Sequence, residues 1–220
     1  MVLSLLCLSL IVLEALHSQA QDIPPTRIPA PPLSKIPLQP DFQDDRFQGD
    51  WFTIGAATNA VMKGKGNNSK YYMTRVNFEL NDDHSYNVST TGLSGQKCAQ
   101  WTSTLVPYIQ PGQFTRLNMT NSDTESYLWR VTATDYKQFA MLYIEYKFKH
   151  RIYFQVKLNG RTQELSSELQ EHFIKFARSL GLDDENTVYF EPIGFTSTLP
   201  PILPVTSIQG ATWLPHQTCQ

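Results

Sequence analysis

The sequence predicts an all-β fold, sandwich or barrel, followed by one helix near the C-terminal end. Three observations predict it. From Trp51 to Leu158, short β-prone runs follow one another at close, regular spacing, divided by turn residues. Between Ser166 and Leu182 the hydrophobic period changes to that of a helix. The 220 residues, of which 41% are hydrophobic, suit one domain with a sizeable core.

Residues 1–20, MVLSLLCLSLIVLEALHSQA, read as a signal peptide, an apolar stretch ending in the small residues Ser18 and Ala20. Glu14 interrupts the stretch and no Lys or Arg precedes it. Its continuous apolar part is about a dozen residues, short of the ~20 that span a bilayer. The chain is therefore expected to be secreted, cut before Gln21 and without a membrane span. Residues 21–45 begin QDIPPTRIPAPPLSKIPLQP. That is too proline-rich for a helix or a central strand, and an extended lead-in is expected.

The expected domain runs over 46–193. WFTIGAATNA, YYMTRVNFEL, SYNVSTTGL, CAQWTSTLVPY, FTRLNM, SYLWRVTATDY, QFAMLYIEYK and RIYFQVKL read as eight strands. In SSELQEHFIKFARSLGL, Leu169, Phe173, Phe176, Ala177 and Leu180 fall on one helical face. Ser167 with Gln170 reads as a capping box and Gly181 as the stop, which predicts a helix over about 167–180. NTVYFEP reads as a short ninth strand. Residues 194–220 contain prolines and no periodicity, so an irregular tail is expected.

With 18 basic and 20 acidic residues the chain is nearly neutral, which gives no electrostatic case for nucleic acid or an anionic membrane. Loss of the leader removes Cys7 and leaves Cys98 and Cys219, which in an oxidising compartment suggest one disulfide. Two free thiols, or a bridge between chains, are the alternatives. Asn67, Asn87 and Asn118 head N-glycosylation triplets, the first inside a Gly-rich loop.

Three motifs stand at strand boundaries: Gly49-Asp50-Trp51 at the first, Thr134-Asp135-Tyr136 between the sixth and seventh, and Gly160-Arg161 after the eighth. In this order, with eight strands and then a helix, they resemble the lipocalin family. The stretches IPAPPLSKIPLQPDFQDDRFQGDW, PGQFT and GRTQELSSELQEHFIKFARSLGL are similar to its neutrophil gelatinase-associated and epididymal-specific branches. The resemblance implies an eight-stranded antiparallel up-and-down lipocalin β-barrel with one C-terminal helix. It implies that Trp51 closes the barrel floor beside Gly49 and that Arg161 lies across its ring, a cation–π contact worth roughly 0.5–2 kcal/mol.

It also implies a ligand carrier. Siderophore binders of the family hold a triply charged iron complex with three inward cations, and those positions fall here on Ser103, Tyr146 and Gln155. Loss of three charge pairs in a partly desolvated cup argues against that ligand. Strand parity in the same register puts Trp101, Ser103, Leu105, Tyr127, Trp129, Val131, Leu142, Ile144, Tyr146, Tyr153 and Gln155 inside. Such a lining reads as uncharged, aromatic and lightly polar, suited to a retinoid such as retinoic acid, or to a fatty-acid-like molecule. Simple alternation would instead turn Ile152, Phe154, Val156 and Leu158 into the cup. The resemblance turns them outward, where the helix needs an apolar partner. Lys63, Lys65, Lys70, Lys147, Lys149, His150 and Arg151 fall in loops at the mouth. They are either solvated loop charge or a cationic lip that greets an acidic ligand.

Other classes are weaker. One branch of the family isomerises prostaglandins through a cup cysteine, but parity faces Cys98 away from the cup and Cys219 is in the tail. No HExxH, CxxC or phosphate loop occurs, so neither an enzyme nor a cofactor nor a metal is expected. A third reading is a secreted barrel whose surface, or tail with Trp213, binds a cell-surface receptor. A monomer is expected.

Overall fold

The computed structural model describes residues 28–61, 70–94, 97–117, 124–193, 207–208 and 211–213. The leader, the sequons at Asn67 and Asn118, Lys63, Lys65 and Cys219 lie outside the described residues.

The eight expected strands form. They are β1 (Gly49–Thr58), β2 (Arg75–Leu80), β3 (Tyr86–Ser94), β4 (Lys97–Pro107), β5 (Gln113–Arg116), β6 (Thr124–Thr134), β7 (Phe139–Phe148) and β8 (Arg151–Gly160). Each pairs antiparallel with its neighbour in sequence, β1 also pairs with β8, and the circle closes. A closed ring leaves these strands no exposed edge over their paired length. Beyond β8 come one helix, here α2 (Ser167–Ser179), and β9 (Thr187–Tyr189), which adds to β1. In the segment expected to be irregular, β10 (Ser207–Ile208) and β11 (Ala211–Trp213) form a hairpin edge on β4. The expected extended lead-in holds a 3-10 turn at Leu33–Lys35 and runs into a one-turn helix, α1 (Asp44–Phe47).

Two apolar clusters divide the molecule. Outside the barrel, Met141, Tyr143, Phe154, Val156 and Leu158 pack against Phe173, Ala177 and Leu180 of α2. Inside it, Trp51, Phe78, Tyr86, Leu105, Phe114, Trp129, Val131, Leu142 and Ile144 meet, with Phe47 of α1 beneath. The strand that simple alternation would have turned inward therefore faces outward. Phe154, Val156 and Leu158 are each 0% exposed under the helix.

The helix start differs from the sequence reading by one residue. Ser166, not Ser167, is the N-cap, its Oγ accepting from the Leu169 N–H at 3.4 Å. Gln170 does not reach back to the cap; its Nε2 donates to the Leu165 carbonyl. Gly181 follows the helix at φ +84°, a left-handed conformation that glycine takes without cost.

Candidate functional site: the floor, cup and mouth of the barrel

The floor is assembled from the three boundary motifs. Trp51 is fully buried and its Nε1 donates to the Phe47 carbonyl at 2.8 Å. The Arg161 guanidinium lies 3.7 Å from the Trp51 ring centroid. Its remaining donors go to the carbonyls of Tyr136 (3.1 Å), Asp50 (2.8 Å) and Arg46 (3.0 Å). Gly49 makes this approach possible: a Cβ there would sit 3.3 Å from the guanidinium, at a φ of +91°. Asp135 shapes the turn beside it. Burial opposes its ionisation, but the N–H groups of Gln138, Phe139 and Lys137 outweigh that and hold the carboxyl below its usual range.

Above the floor the cup is layered, because paired residues on neighbouring strands share a level. From the floor upward the rows are Val131–Leu142–Lys157–Ala56, then Trp129–Ile144–Gln155–Thr58, then Tyr127–Tyr146–Tyr153. In the top row the rings stack across strands, with centroids 6.4 and 5.4 Å apart. Burial pushes the phenols of Tyr127 and Tyr146 above their usual pKa. On the far wall, Leu105, Ser103 and Trp101 follow one another up β4, with Trp101 37% exposed at the mouth. By register these residues share the strand face that carries Leu105, Trp129, Val131, Leu142 and Ile144 into the inner cluster.

The sequence reading missed one charge. Lys157 is two residues beyond Gln155 on the same strand, between outward Val156 and Leu158, and so faces the cup. Protein surrounds it, although the residue keeps part of its surface accessible; burial pushes its ammonium pKa down. The lining is therefore not uncharged. The parity that placed Tyr153 and Gln155 inside would have found it.

Charge at the mouth is largely matched. Lys70 meets Glu191 at 2.9 Å, while Glu125 takes both Lys147 at 2.6 Å and His150 at 3.0 Å. The lip is thus mixed in sign rather than cationic among the described residues. Elsewhere, a groove of about 530 Å³ crosses the outer face of β2, β3 and β4, lined by Asn77, Glu79, Ser89, Thr102 and exposed Asn87. Cys98 is buried on the outward side of β4 and disulfide-bonded, its partner outside the described residues. Among the described residues no cluster of His, Cys, Asp and Glu could hold a metal ion, and no helix is long and apolar enough to cross a membrane.

A closed eight-stranded barrel with a plugged floor and a lined interior defines a protein that encloses small molecules. Residues 48–193 match the family described as lipocalin / cytosolic fatty-acid binding protein, and the chain belongs to the lipocalin family. Human neutrophil gelatinase-associated lipocalin is 47% identical over 194 residues, 88% of this chain and 97% of that one. Prostaglandin-H2 D-isomerase of Bos taurus is 32% identical over 165 residues, 73% of this chain and 82% of that one. The solution structure of lipocalin 12 from rat epididymis superposes with a TM-score of 0.64 at 26% identity, covering 71% of this chain and 89% of that one.

Proposed function

We propose that this lipocalin is a secreted, extracellular carrier of one small lipophilic molecule, a retinoid such as retinoic acid or a fatty-acid-like chain. The observation that carries the reading is the cup's lining. Its aromatic and aliphatic rows offer apolar burial, worth roughly 25 cal/mol per Å² less the cost of association. The Tyr127, Tyr146, Tyr153 and Gln155 groups add polar contacts that can orient a ligand. No step of chemistry is assigned to any residue, since Cys98 is turned away from the cup and already bonded. We pair it with Cys219, take the exposed residue Asn87 as a glycosylation site, and place the carrier in the male reproductive tract by its likeness to the epididymal protein.

Likeness to neutrophil gelatinase-associated lipocalin supports a second reading, a siderophore-binding protein of innate immunity. Against it stand Ser103, Tyr146 and Gln155, uncharged where the family's siderophore binders place cations. A titration of the secreted protein decides between them. All-trans retinoic acid should quench tryptophan emission saturably, less so in Trp101→Phe, while a ferric catecholate siderophore should not bind. Binding of the siderophore alone would overturn the carrier reading. If neither binds, a surface or tail that engages a cell-surface receptor becomes the reading to test.

A further inference from the structure

The inner and outer faces of β8 are inverted relative to an ordinary barrel strand. Outward, Phe154, Val156 and Leu158 are apolar and fully buried; inward, Tyr153, Gln155, Lys157 and Asn159 are all polar. A polar stripe thus descends one wall from the mouth towards the floor. Lys157 is its charged member. It is three residues from Gly160 at the floor end, roughly 10 Å along the strand, and six from Arg151 at the mouth.

No acceptor meets the Lys157 ammonium among the described residues, and burial is the whole of its perturbation. An enclosed cation without a partner is costly, and a fold retains it at a cost in stability unless something brings it a counter-charge. A second unmatched donor stands in the next row up. The Trp129 Nε1 is buried without a hydrogen-bond partner, the Tyr127 phenol lying toward it without completing one. Asn159 Oδ1, below Lys157, is also buried and unmatched.

We propose that Lys157 orients the ligand, holding the carboxylate of a singly charged amphipathic acid that enters the cup head first. This rests on the carrier reading above and narrows it. One enclosed cation matches one negative charge; a triply charged complex would leave two uncompensated. The Phe78 and Trp129 rings meet at 5.4 Å across the lower cup, with β8 and Lys157 to one side of that contact. Beside that contact a thin carboxylate-ended chain fits more readily than a bulky ring, which would remain above, among Tyr127, Tyr146 and Tyr153. The opposite orientation has its own candidate: Arg116, exposed at the mouth end of β5, close enough to Tyr127 to favour its ionised form.

The test compares wild type, Lys157→Met and Arg116→Gln, each first shown to melt cooperatively. The probes are all-trans retinoic acid, palmitic acid and the uncharged alcohol retinol. Lys157→Met should weaken both acids about tenfold or more and change retinol less than about threefold, while Arg116→Gln changes neither. In wild type, the carboxyl signal of bound [1-13C]palmitate should be protected from a soluble paramagnetic agent. If the acids bind Lys157→Met as they bind wild type, or the carboxyl is relaxed by the agent, head-first entry is overturned and the carrier reading stands. If no probe binds wild type, the carrier reading fails and this assignment fails with it.

Discussion

Phe78 on β2 and Trp129 on β6 stand half-way round the barrel from one another, and their ring centroids are 5.4 Å apart. Phe78 also meets Phe47 at 5.2 Å and Tyr86 at 5.6 Å. The lower barrel thus holds an aromatic plug that joins opposite walls, with β8 and its Lys157 to one side of it.

Phe78→Ala should therefore act on stability and capacity together. Losing a fully buried ring from this cluster is expected to cost about 3–5 kcal/mol, read as a lower urea midpoint at unchanged slope. The same variant should admit a bulkier polycyclic probe that wild type excludes. A change in slope would mean that the plug had collapsed rather than opened.

Arg161 joins the floor to three separate backbone segments, so its replacement should be felt far beyond its own turn. Arg161→Ala is expected to cost about 2–4 kcal/mol, from lost ring contact and charge-assisted hydrogen bonds. Arg161→Lys should recover only part, since an ammonium cannot reach all three carbonyls in one plane. Equal loss in both variants would place the whole effect in geometry rather than charge.

Acid should weaken the floor through Asp50 and Asp135. Burial works against ionisation of each, yet their partners (Arg75 and Asn77 for Asp50, backbone N–H groups for Asp135) hold both below the usual carboxylate range. A depressed folded pKa means that the unfolded chain binds protons first. The stabilisation is complete above the carboxyl's unfolded pKa and is lost as pH falls through the folded one. Melting midpoints followed from about pH 6 down to about pH 2 should drop steeply at the acid end, and Asp135→Asn should flatten that slope.

At the mouth, Glu125 of β6 meets Lys147 of β7 and His150 in the β7–β8 turn. Glu125→Gln should release the Lys147 charge and speed association of an anionic ligand modestly, at low ionic strength only. Stopped-flow rates at two salt concentrations measure it. An effect that persists at 0.5 M salt, where the screening length is only about 4 Å, would point to a direct contact instead.

Much of this was legible in the residues. Alternation in Tyr127, Trp129, Val131 and in Leu142, Ile144, Tyr146 placed two walls correctly, and the glycine, tryptophan and arginine of the boundary motifs met as expected. On β8, hydrophobicity alone pointed the wrong way, because Phe154 and its neighbours serve a core outside the barrel. The family likeness corrected the register but was followed only to Gln155, one inward step short of Lys157. The Phe78–Trp129 contact and the Glu125 pairs join residues far apart in sequence, which no local pattern reports. The helix cap slipped because Ser166 and Ser167 are equally competent acceptors and only backbone direction decides between them.

The placement of the outer core has a consequence for how such a protein changes over generations. Since β8 anchors the helix with one face and turns the other into the barrel, substitutions at Tyr153, Gln155 or Lys157 leave the side chains beneath α2 untouched. The lining of the cup and the outer core are written on opposite sides of one strand. A lineage can revise the first without risking the second, which leaves the cup open to rapid divergence.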